Sequence, residues 1–140
     1  PSPMLNSKNY DFSYSGLKTA VLYLLRDLKL KRFTKQIRAD IAASFQNAAI
    51  RVLIEKTKRA AQHYNVKAIL LSGGVSANKL LRQRLGQMAA ELGVRSIQPT
   101  MIYTTDNAAM IAAAGYFAFL KQKRKKSTWK SIRMNANLTL

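Results

Sequence analysis

At 140 residues, with 48% hydrophobic residues and no Cys, the chain can build one folded core and cannot form disulfides or thiolate metal sites. Its 24 Lys+Arg against 6 Asp+Glu leave a net charge of +18, which points to a polyanionic partner such as nucleic acid, or to an anionic membrane surface. A uniformly basic proteome gives the same balance, and the positive residues are spread over most segments. No stretch has the order of a signal peptide, and the uncharged run from Asn107 to Leu120 is too short to span a bilayer.

The chain opens at Pro1-Ser2-Pro3 without an initiating Met and reads as cut from something longer. Polar and apolar residues alternate over Asp11–Tyr14, which predicts a short half-buried strand. Leu17 to Leu28 reads as helix, with apolar residues at 17, 21, 24, 25 and 28. A long helix is predicted from about Thr34, its N-cap, to Tyr64, with a stripe of Ile37, Ile41, Phe45, Ala48 and Val52. Ile50, Leu53 and Ile54 lie beside that stripe and predict burial on two sides. Glu55 is placed to pair with Lys58 and Arg59 one turn on.

Val66–Leu71 reads as a buried strand that breaks into Ser72-Gly73-Gly74, with Ser76 as the N-cap of the next helix. That helix carries Leu81, Leu85, Met88 and Leu92 on one face and ends at Gly93. Val94–Gln98 is a second strand, stopped by Pro99, and a last helix starts near Thr104 or Thr105 and runs to about Leu120. Strands alternating with helices imply right-handed βαβ crossovers and an α/β fold. The expected organisation is an α/β subdomain over 1–120 and a basic tail over 121–140.

A strand that ends in two glycines before a helix leaves backbone N–H groups and a surface without Cβ atoms at its carboxyl end, where ligands dock in open α/β sheets. From spacing alone, a tight strand-to-helix turn is the favoured reading of Gly73 and Gly74. Asn78 offers a donor and an acceptor. Asp106 first reads as a carboxylate favouring a helix start, and also as a hard metal ligand. Ser72 can bond a ligand or its own backbone. The lone His63 is assigned a surface or packing role.

Four ordered segments, Asp11–Ala20 (DFSYSGLKTA), Ala39–Lys58, Ile69–Leu81 (ILLSGGVSANKLL) and Tyr103–Gly115 (YTTDNAAMIAAAG), resemble one family. It is that of the bacterial TsaD and archaeal-eukaryotic Kae-type tRNA N6-adenosine threonylcarbamoyltransferases. The resemblance covers nearly the whole chain and the carboxyl-terminal half of the family's proteins. It implies half of the ATPase fold shared by actin, sugar kinases and heat-shock chaperones, with a ribonuclease H-like sheet and packed helices. The family's amino-terminal half carries a phosphate-binding region and an HxxxH metal motif, neither of which occurs in this sequence.

The resemblance further implies that Asn78, with Ser72, Gly73 and Gly74, binds the adenylate or an ATP-like nucleotide. Asp106 would complete a divalent metal site, iron or zinc, with Thr105 left as the helix cap. The implied reaction moves a threonylcarbamoyl group from threonylcarbamoyl-AMP to N6 of the adenosine 3′ of the anticodon, in tRNAs reading codons that begin with A. The implied partners are tRNA and the TsaB- and TsaE-like proteins, in the cytoplasm, without a membrane. Ser13, Ser15 and Lys18 fall in an FSGLKT-like motif; the basic run Lys121–Lys126, Lys130, Arg133 and Trp129 suit tRNA phosphates and a stacked base. No residue stands out as a catalytic base. An alternative is a non-catalytic nucleic-acid- or partner-binding piece of that fold; the hydrogenase-maturation carbamoyltransferases form a third reading, opposed by DFSYSGLK.

Overall fold

A computed structural model describes residues 2, 4–29 and 33–121. The expectations for positions 122–140, including Trp129, Lys130 and Arg133, lie outside the described residues. The chain divides into two units, 1–104 and 105–140, and each is described by itself.

In the first unit, α1 spans Ser15–Asp27 and α2 spans Lys35–His63. Thr34 caps α2 as its residue type predicts, its hydroxyl accepting from the Ile37 N–H at 3.2 Å. The chain leaves α2 through Asn65, whose φ of 47° is one that Asn tolerates well. Next come β1 (Ala68–Leu70), a 3-10 turn (Gly74–Ala77), α3 (Lys79–Glu91), β2 (Arg95–Ile97) and a second 3-10 turn (Met101–Tyr103). The two strands pair in parallel, Ala68 with Arg95, Ile69 with Ser96 and Leu70 with Ile97, as a β1–α3–β2 unit requires. The architecture is α/β, a small parallel sheet among helices.

The core joins these elements. Ala61 of α2, Ile69 of β1 and Leu85, Met88 and Ala89 of α3 form one buried cluster, flanked by Ile54, Val66, Leu71, Leu92 and Val94. The predicted face of α3 is this cluster's main contributor, and Gly93 ends the helix with φ 67°. Ile50 and Val52, two positions apart on α2, are both buried, so this part of the helix is covered on two sides. Toward its amino end the stripe opens, and Phe45 is exposed.

Three local expectations are overturned. Asp11–Tyr14 is not a strand, because the alternating residues have no strand to pair with among the described residues; Phe12 and Tyr14 are exposed. β1 is not buried on both faces: Ile69 packs inward, whereas Leu70 is 71% exposed. Lys58 pairs with Glu91 of α3 at 3.2 Å rather than with Glu55, and Arg59 turns away to the carbonyls of Leu5 and Ser7, at 2.8 and 3.1 Å.

Beside Arg59, Lys56 is only 2% exposed. Its ammonium donates to the Ser7 hydroxyl and, at 2.8 Å, to the Asn9 carbonyl, so two cations on α2 hold the amino-terminal segment. Desolvation, followed by the Arg59 charge, lowers the Lys56 pKa below the usual lysine value, with Asp11 opposing. A base with a depressed folded pKa binds fewer protons folded than unfolded. Its stabilising contribution is complete above the unfolded value and is lost as pH falls through the folded one. Stability in denaturant titrations is therefore expected to rise with pH across the alkaline window just below the ordinary lysine value. In Lys56→Met that rise should be smaller; an identical pH profile would contradict the burial argument.

The second unit contains α4, Ala108–Lys121, which is rich in Ala and aromatic residues. No helix among the described residues is long and apolar enough to cross a membrane.

Candidate functional site

The turn after β1 is built as the sequence suggests, with one change of roles. Gly73 has φ 80°, a conformation that disfavours any side chain. Gly74 is different: its φ is outside the left-handed range, and a Cβ built on it would meet nothing within 4 Å. Neither conformation nor packing explains a glycine at this position.

Ser76 is not the cap of α3. The chain continues as a 3-10 turn, with the Ser76 N–H bonded to the Gly73 carbonyl at 2.9 Å, and Ser76 is fully buried. Its hydroxyl has no hydrogen-bond partner among the described residues. The cap is Asn78, whose Oδ1 accepts from the Leu81 N–H at 3.0 Å. This use of Asn78 occupies its oxygen and leaves the Nδ2 donor for another partner.

Asn78 and Val75 also line a groove of about 820 Å³ whose other lining residues come mostly from α1 and α2. The groove is mostly apolar, with Val21 and Leu25 from α1 and Ile41, Phe45 and Leu53 from α2 along its walls. Lys18, Arg38, Gln46 and Tyr14 supply its polar groups. Partial desolvation raises the Tyr14 phenol pKa above its ordinary value. Ser13 lies outside this lining and bonds Ser15 at 3.0 Å, while Ser72 is exposed at the head of the turn.

In the second unit Asp106 precedes α4, and the helix is capped by neither Asp106 nor Thr105. Asn107 caps it, with Oδ1 accepting from the Met110 N–H at 3.0 Å. The Asp106 carboxylate is exposed beside a hollow of about 390 Å³ and accepts no hydrogen bond among the described residues. No group of three metal-ligating side chains occurs among those residues, so a metal held by Asp106 would need further donors from outside them. His63 is not such a donor. It stacks on Tyr64 with ring centroids 4.8 Å apart and bonds the Tyr10 hydroxyl, the packing role expected of it.

The family model described as TsaD, tRNA N6-adenosine threonylcarbamoyltransferase, matches residues 1–113. The chain belongs to this family. A Thermosipho africanus tRNA N6-adenosine threonylcarbamoyltransferase is 43% identical over 132 residues, which is 94% of this chain and 39% of that protein. One from Bacillus thuringiensis strain Al Hakam is 46% identical over 138 residues, 98% of this chain and 38% of the relative. One from Ralstonia pickettii is 47% identical over 117 residues, 82% and 34% respectively. The chain thus spans somewhat over a third of the relatives it matches.

Within this TsaD-family chain, Ser72, Gly73, Gly74 and Asn78 form one continuous turn. Arg38, Gln46 and Arg82 were missed by the sequence reading. For the groove a signal was present: Arg38, Ile41, Ala42, Phe45 and Ala49 recur at three- and four-residue spacing, as do Lys18, Val21 and Leu25, and each set marks one helix side. Nothing local announces Arg82.

Proposed function

We propose that this chain is the carboxyl-terminal part of a tRNA N6-adenosine threonylcarbamoyltransferase with an actin- and sugar-kinase-like fold, and that its Gly73–Asn78 turn seats the adenylate. Gly74 carries this reading. A glycine that neither backbone conformation nor neighbours require leaves a bare surface on which a ribose or base can lie. The free Nδ2 of Asn78 then reaches a nucleoside acceptor, and the adjoining groove gives an apolar wall to a planar ring.

In the whole protein, N6 of the tRNA adenosine attacks the carbamoyl carbonyl of threonylcarbamoyl-AMP. AMP leaves with the bonding electrons and the N6 proton is lost. The residues here bind and orient the adenosine end. Glu55 and Glu91 stand on exposed helix faces, and no catalytic residue is assigned. A divalent metal, iron or zinc, would supply Lewis-acid polarisation when bound, with Asp106 as one of its ligands. Transfer belongs to the longer protein, with tRNA drawn by the positive charge, TsaB- and TsaE-like proteins as partners, and the cytoplasm as compartment.

AMP titration of the chain and its Asn78 variants tests the seat. Asn78→Ser keeps a capping oxygen and removes the amide donor, so folding stability should hold while AMP affinity falls about ten-fold. Asn78→Ala should also lose about 1 kcal/mol of stability with the cap. Wild-type AMP affinity in Asn78→Ser would overturn the assigned role.

A further inference from the structure

We infer that Arg82 is a positioning residue that sets the shape of the Gly73–Asn78 turn by tying it to the segment leaving β2; its link to adenylate binding rests on the function proposed above. Arg82 stands in the first turn of α3. One guanidinium nitrogen donates to the Ser76 carbonyl at 3.0 Å, and the other donates to the Pro99 carbonyl at 2.6 Å. The Arg82 carbonyl in turn accepts from Gln98 Nε2 at 3.1 Å. Because β1 and β2 are parallel neighbours, their carboxyl ends leave the sheet side by side, and this side chain spans both exits.

The turn needs such a tie. Its own bonds are short-range, Ser76 N–H to the Gly73 carbonyl at 2.9 Å and Asn78 N–H to the Val75 carbonyl at 3.0 Å. A Cβ added at position 73 or 74 would meet nothing within 4 Å, so side-chain packing does not hold the turn there. Among the described residues, Arg82 makes the side-chain hydrogen bond that reaches the turn's backbone from outside it. A planar fork with fixed donor directions satisfies two carbonyls at once. A lysine ammonium on a flexible stem does so poorly.

The experiment compares wild type, Arg82→Met, Arg82→Lys and Leu85→Ala in the 140-residue chain by amide hydrogen exchange and AMP titration. Arg82→Met is expected to speed exchange at Ser76 and Asn78 about ten-fold beyond any change at Leu71 and α3, and to weaken AMP binding by a similar factor. Arg82→Lys should recover part of both. Leu85→Ala, a core control, should accelerate exchange throughout and leave AMP affinity of the folded protein within about two-fold. Turn exchange unchanged in Arg82→Met, or raised only in step with the core as in Leu85→Ala, overturns the inference. If the wild-type chain binds no AMP, the adenylate reading falls, and the exchange comparison still decides the role of Arg82.

Discussion

Leu85→Ala is expected to destabilise the protein by about 3 kcal/mol in chemical denaturation, with little change in the denaturant dependence. Leu85 is 4% exposed within the cluster that joins α2, β1 and α3, and its truncation removes packing from that cluster. The loss combines the transfer free energy of the deleted atoms with the cavity they leave. β1, which carries Ile69, leads into the Gly73–Asn78 turn. A loss below about 1 kcal/mol would show that the cluster is not what joins sheet to helices.

A second large effect is expected at Asp106, in a protein that joins these residues to the family's amino-terminal part. Asp106→Ala should lose most of its bound divalent metal by elemental analysis. Removing a directly bound oxygen is expected to exceed the roughly ten-fold loss typical when only a supporting hydrogen bond to a metal ligand is removed. The α4 cap stays intact, because Asn107 and not Asp106 makes it, so thermal stability should be nearly unchanged. Unchanged metal content would remove Asp106 from the ligand set.

Features determined within a few residues were legible before the structure was known. Thr34 caps α2, Gly93 ends α3, and the Leu81–Leu85–Met88 face is buried, since each depends on local geometry or on helical period. The expectations failed where two nearby residues could do one job. Ser76 and Asn78 both suit a helix start, and the 3-10 turn hands the role to Asn78; at α4, Asn107 takes the cap from Thr105. Asp11–Tyr14 has the alternation of a strand and lacks a partner, which no local pattern reveals.

The site divides the same way. Gly73, Gly74 and Asn78 lie close together in the sequence and could be found as a motif. The Arg82 tie joins residues brought together only by strand pairing, and the groove needs two helices set side by side. Lys56 illustrates the limit: a buried lysine held by neutral oxygens nearly fifty positions away in the chain departs from the general tendency of lysines to stay in water.

The small sheet has a further consequence. Two parallel strands with three paired residues each fall below the size at which sheets are self-sufficient, and among the described residues both outer edges carry unpaired N–H and C=O groups. Such edges are templates for strand addition. Repulsion between strongly positive copies opposes that assembly, so salt, by screening it, sets how concentrated the chain can become before it aggregates.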